Sequence, residues 1–125
     1  MQLQPFSFFN NDFDEAIALY LSAIPIAQER LPLGDPTIGD INVKISTILQ
    51  GRGELQPAID HLTKAKDVYK TSYNMFDDDG KGVIGQKIVE IATGFANLYV
   101  DMGEMDNAST SYEVSVVEWS RVGLN

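Results

Sequence analysis

Few side chains in this chain are of a type that could perform chemistry. His61 is the only histidine, and there is no cysteine. A histidine that acts as a general base needs a nucleophile and an orienting group, and the neighbouring Asp60 and Lys64 do not form such a set. We therefore predict that His61 is a surface residue of a helix, that the protein is not an enzyme, and that it uses no cofactor.

An acidic segment suggests a second kind of chemistry. Residues 76–84, FDDDGKGVI, resemble the start of an EF-hand calcium loop, in which Asp77 and Asp79 would supply the first oxygen ligands. The third ligand position holds Lys81 and the closing position holds Ile88, and neither side chain can coordinate calcium. Calcium binding is therefore the weaker alternative, and a solvated acidic linker between helices is the preferred interpretation.

The charge of the chain excludes several classes of partner. Eighteen acidic and nine basic side chains give 125 residues a net charge of −9. Nucleic acids and anionic membranes require a basic surface, so we expect neither as the main partner. No apolar run approaches the roughly 18–20 residues that span a bilayer. We expect a single cytoplasmic domain.

Three segments of the chain share one pattern. Each begins with a turn residue, which is followed by an acidic residue, an apolar residue, two polar or proline residues and then an alanine. The alanines Ala16, Ala58 and Ala108 are 42 and 50 residues apart. The residues before the last two turns repeat as well, because the isoleucines at 41, 45 and 48 match Ile91, Phe95 and Leu98 at an offset of 50. These spacings place the apolar residues on one face of a helix.

The pattern predicts helices throughout. They are expected near residues 3–9, 13–30, 36–50, 54–75, 84–102 and 105–122. Linkers are expected at residues 31–36 and 77–82, and tight turns at Gly53 and Gly103. Pro25 should bend or divide the second helix, because an interior proline removes a hydrogen bond and clashes with the preceding turn.

The repeated segments resemble the tetratricopeptide repeat, a helix–turn–helix unit with glycine at the turn and alanine shortly after it. The 42-residue spacing is similar to that of kinesin light chains. The resemblance implies an all-α fold, a right-handed α-solenoid of about three helix hairpins covering residues 1–31, 35–75 and 83–122. The first repeat lacks most of its leading helix, and the last connection is eight residues longer. The chain is either a complete domain or part of a longer array.

The resemblance also implies a binding site, because the first helix of each pair lines a concave groove in this family. The implied groove residues are Asp40, Val43, Thr47, Gln50, Glu90, Thr93, Asn97, Val100 and Asp101. Asn97 matches an asparagine that hydrogen-bonds the backbone of an extended peptide. The basic residues that grip a peptide carboxylate in chaperone-binding members are missing. The resemblance thus implies a scaffold module for a neutral or basic protein or peptide.

The remaining alternative is a structural segment that associates with copies of itself. Its contacts would be the apolar ends of the chain, Phe8 to Phe13 and Trp119 to Val122, because a solenoid needs a polar cap at each end. The tyrosines at helical spacing, such as Tyr69, are interpreted as core residues.

Overall fold

The described part of the chain is entirely helical. The computed structural model describes residues 5–105, 107–111 and 113, and for residues 5–11 the backbone alone. The helices are α1 (Pro5–Arg30), α2 (Thr37–Gly51), α3 (Leu55–Met75) and α4 (Asp78–Asp101), and residues 105, 107–111 and 113 form a fifth helical segment. No strand occurs in these ranges, so the predicted all-α class is confirmed.

The first predicted hairpin is wrong. Residues 5–30 form one continuous helix, without a turn near Asn11 and without a division at Pro25. The later turns each contain a glycine with positive φ, whereas Asn11 stands at the corresponding position here. Without a glycine to adopt the left-handed conformation, the chain continues its helix through this segment.

The linker at residues 31–36 lies where it was predicted. Gly34 has a φ of 92° and packs so closely on the end of α3 that an added Cβ would lie 2.8 Å from the Met75 sulfur. The Thr37 N–H donates to an Asp35 carboxylate oxygen at 2.9 Å. Hydrogen bonding from the Thr37 side chain, and then from this N–H, lowers the pKa of Asp35. The start of α2 is thereby fixed by a local side-chain bond.

The second predicted linker does not exist as a loop, because α4 begins at Asp78 and not near residue 84. Asp77 is the N-cap of this helix, and its carboxylate accepts the Gly80 N–H at 3.1 Å. Two more acidic residues follow in the first turn, where the positive end of the helix dipole favours negative charge. The acidic run is therefore a helix start.

Two turns of the chain have the same hydrogen bonds. After α2, the N–H groups of residues 52, 53 and 54 donate to the carbonyls of Ile48, Gln50 and Leu49. After α4, the N–H groups of residues 102, 103 and 104 donate to the carbonyls of Leu98, Val100 and Tyr99, each fifty residues after its counterpart in the first turn. Gly53 and Gly103 have φ values of 81° and 79°. The predicted repeat at an offset of 50 is therefore present in the backbone of both turns.

Each helix packs against the next one, α1 on α2, α2 on α3 and α3 on α4. The core lies between α2, α3 and α4, and its most buried large side chains include Ile45, Ile84 and Leu98. The repeat alanines Ala58 and Ala108 are buried as predicted, whereas Ala16 is only half-buried. Tyr69 is 2% exposed and belongs to the core. Trp119 and Val122 lie outside the described residues.

Candidate functional site

A groove lies between α2 and α4, which run side by side in the same direction. At one end, Lys87 Nζ, from the middle of α4, lies 3.0 Å from Asp40 Oδ1 in the first turn of α2. At their last turns, Gln50 Nε2 donates to Asp101 Oδ2 at 3.1 Å. These two polar pairs bridge the helices at opposite ends, and α3 forms the floor between them through Leu62 and Tyr69. The groove has a volume of about 440 Å³.

The groove contains part of the residue set implied by the sequence. Of that set, the residues Asp40, Val43, Thr47, Gln50 and Glu90 line it. Asp101 reaches the groove through its bond to Gln50. Thr93, Asn97 and Val100 are not among the lining residues, so the predicted role of Asn97 has no support from this groove.

Eight lining residues were not assigned to the groove from the sequence. They are Lys44, Ser46, Leu62, Tyr69, Lys87, Ile91, Gly94 and Leu98. Lys44 and Lys87 change the expected electrostatics, because they balance the charges of Asp40 and Glu90 on the groove walls. The groove is therefore mixed in charge, with an apolar floor.

One end of the groove is organised around Tyr69. Its hydroxyl donates to Asp40, and Lys87 lies over its ring at 5.7 Å from the centroid. Burial, followed by the bond to Asp40, raises the pKa of Tyr69, so the hydroxyl remains a donor at neutral pH. Gly39 permits this arrangement, because a Cβ there would lie 2.5 Å from the tyrosine ring. The cluster is a polar wall of the groove, and the raised pKa of Tyr69 does not make its hydroxyl a nucleophile.

His61 is half-buried and bonded, and it is not the surface residue that was predicted. Asn42, 2% exposed, donates through Nδ2 to the Ile38 carbonyl, which turns its Oδ1 toward His61 Nδ1 at 2.8 Å. The ring nitrogen must therefore be the donor. Partial burial, with the charge of Lys64, lowers the pKa of His61. The neutral imidazole joins α2 to α3, which is a structural role.

Calcium binding does not fit the acidic segment. An EF-hand site needs a twelve-residue loop that wraps the ion, but residues 78–88 are helical and the Asp77 carboxylate caps that helix. Asp79 lies in the same first turn. Among the residues that the structure describes, no cluster of three or more histidine or acidic side chains could hold a metal ion.

Within the same described ranges, no helix is both long enough and apolar enough to cross a bilayer. Comparisons with protein-family models, with curated proteins and with solved structures gave no match to this chain. Its function must therefore be inferred from the geometry of the groove and of the repeated turns.

Proposed function

We propose that the chain is a non-enzymatic module of the tetratricopeptide-repeat kind, which binds an extended segment of another protein in the groove between α2 and α4. The observation that carries this proposal is the groove itself, in which an apolar floor lies between two helices that expose polar side chains along its walls. Binding sites for ligands have this composition, an apolar surface with a few polar groups that fix orientation.

The solenoid part of the proposal is supported by the repeated turns. Turns with the same hydrogen bonds follow α2 and α4, and the two helices run in parallel at a register close to 50 residues. In a solenoid of helix hairpins, the first helices of successive units lie side by side in this way. The continuous helix α1 does not form such a hairpin, so the repeat covers the chain from α2 onward.

The charge of the walls favours a neutral partner segment. Asp40 is paired with Lys87, which leaves Glu90 and Asp101 as the acids available to attract a basic side chain. The walls carry both acids and lysines, so a strongly acidic ligand and a strongly basic ligand would each be repelled by some like charges.

Selection of peptides tests the proposal. A random heptapeptide library displayed on phage would be panned against the whole chain, and enriched peptides would be measured by fluorescence anisotropy. Thr47→Arg places a large cation in the groove, and we expect at least roughly tenfold weaker binding. Thr71→Arg is the matched control, because both threonines are exposed helical residues whose hydroxyls bond the carbonyl four residues earlier. Failure to enrich any peptide, or equal binding by both variants, would contradict the proposal.

A second candidate function is self-association through α1. Leu19 and Ile26, seven residues apart and hence on one helical face, are 67% and 55% exposed. Sedimentation velocity at several concentrations would detect association, and the double change Leu19→Ser with Ile26→Ser should abolish it. Leu33→Ser, at a loop residue that is 79% exposed, is the control. A monomer at every concentration would exclude this candidate.

A further inference from the structure

The middle of the groove is apolar, whereas both of its ends are polar. Leu62 contributes to the floor from α3, and Ile91 and Leu98 contribute from α4. All three side chains are buried beneath the open space of the groove. We call this central region the well, defined by these three residues together with Gly94, which lies between Ile91 and Leu98 on α4.

Gly94 is not explained by backbone conformation. It lies inside α4 without a positive φ, and a glycine in a helix interior is less stable than alanine by about 1 kcal/mol. Close packing does not require it either. An added Cβ would lie 3.2 Å from one methyl group of Leu62, which needs a small shift of a flexible side chain. Gly39 differs, because a Cβ there would meet the Tyr69 ring at 2.5 Å.

What Gly94 does provide is open space in the well. Its backbone is partly exposed, while Ile91 and Leu98 on either side are buried. Any side chain at residue 94 would occupy part of the groove immediately above Leu62. The free volume at the centre of the groove therefore depends on the missing side chain.

The two polar pairs limit the length of a ligand segment that lies between them. Asp40 and Gln50 are ten residues apart on α2, which corresponds to about 15 Å along the helix axis. An extended chain covers that length with about four or five residues. The central residue of such a segment would lie over the well, and its neighbours would meet the polar ends.

We infer that the well accepts one large apolar side chain of the bound segment, and that Gly94 sets the size of side chain that fits. This inference rests on the proposed function. The ligand class is then a neutral extended segment of about five residues with an aliphatic or aromatic residue at its centre. The accessible edges of Leu62, Ile91 and Leu98 form the apolar bottom of the well, and the absence of a Cβ at residue 94 supplies the room.

The test uses the peptides enriched on the whole wild-type chain. We expect them to share one large apolar position, at which alanine weakens binding by roughly tenfold or more. Gly94→Ala and Gly94→Val should weaken the original peptide progressively, up to roughly tenfold for valine, and should affect the alanine-substituted peptide less than about twofold. Gly82→Ala and Gly82→Val are the controls, since Gly82 is a helical residue of α4 with open space around it.

The outcomes separate this inference from the proposed function. If no peptide is enriched, both fail. If peptides bind and Thr47→Arg blocks them, but Gly94→Val binds as the wild type does, the groove is functional and the inference about the well is overturned. Equal losses in the variants at Gly94 and Gly82 would also overturn it, because the effect would then be one of helix α4 as a whole. Thermal melts of each variant establish that it is folded.

Discussion

The pair α2–α3 and the pair formed by α4 with the fifth helical segment share a turn but differ at their helix contacts. In α2, the buried residues Asn42 and Ser46 reach α3, where Ser46 donates to the Ala58 carbonyl at 2.7 Å. Fifty positions later, Ala92 and Ala96 are buried in α4. The corresponding buried positions are therefore polar in α2 and apolar in α4.

This difference shows which features of the repeat are interchangeable. The turn depends on a glycine and a fixed set of backbone bonds, and it is the same in both pairs. The contact tolerates polar side chains because their bonds are completed, and no buried side-chain nitrogen or oxygen in the described ranges lacks a partner. A buried polar group is costly only when it is unpaired, so these positions can hold either polar or apolar side chains.

The largest expected effect concerns a repeat position at which α2 and α4 carry side chains of different size. Gly39 of α2 corresponds to Val89 of α4, and Gly39 lies against the ring of Tyr69. Gly39→Ala should lower the free energy of unfolding by about 1–3 kcal/mol through overpacking against Tyr69. Urea denaturation followed by circular dichroism measures it.

Gly82→Ala is the control for this change, because nothing lies within 4 Å of its added Cβ. Relief of the helix-interior glycine should raise its stability by up to about 1 kcal/mol. If both variants shift the unfolding midpoint in the same direction, the close contact with Tyr69 is not what makes Gly39 necessary.

The next effect concerns the polar contact of the first pair. Asn42→Ala removes the acceptor of the His61 ring and should destabilise the chain by about 1–2 kcal/mol, since the half-buried ring is left without its partner. Asn74→Ala, at an exposed residue of α3, should change stability by less than about 0.5 kcal/mol. An equal effect of the two changes would mean that the Asn42–His61 bond adds nothing to the contact.

The shared turn gives a smaller effect that should be the same in both pairs. Gly53→Ala and Gly103→Ala each force a side chain into the left-handed region, at a cost of about 1–2 kcal/mol. Alanine also lowers the conformational entropy of the unfolded chain, which offsets about 0.4–1 kcal/mol of that cost. Thermal melts should therefore show two small and similar destabilisations. Gly51→Ala, without positive φ, is the control. Clearly unequal shifts for the two variants would contradict the equivalence of the turns.

Much of the fold was predictable because its signals are local. The apolar face at Ile45 and Leu49 and the turn glycines at Gly53 and Gly103 each report on a few neighbouring residues. The errors arose where one local signal has two meanings. An asparagine can occupy a turn or continue a helix, as at Asn11, and an aspartate such as Asp77 can begin a loop or cap a helix.

The groove was only partly predictable, for a geometric reason. The sequence-based set used the same repeat positions on both helices, Thr47 with Asn97 for example. Two parallel helices face the gap between them with opposite flanks, so α2 lines it with residues such as Thr47 and α4 with residues such as Lys87 and Gly94. Contacts such as Tyr69 with Asp40, 29 residues apart, depend on how the helices pack and leave no local pattern.

The smallest effect is the pH dependence that His61 gives to the first pair and that the second pair lacks. The folded protein lowers the pKa of His61 below its ordinary value, so the unfolded chain binds the proton more readily. The contribution of His61 to stability is therefore complete above the ordinary histidine pKa of about 6.5 and is lost as the pH falls through the lower folded value. His61→Gln removes the titrating ring and keeps an amide that can donate to Asn42. The difference in melting temperature between wild type and His61→Gln, measured from pH 8 to pH 5, should decrease or change sign in favour of the variant as the pH falls. The carboxylates titrate in both proteins and cancel in this difference. A difference that stays constant over the range would contradict this prediction, because the ring would then accept a proton equally well in the folded and unfolded chains.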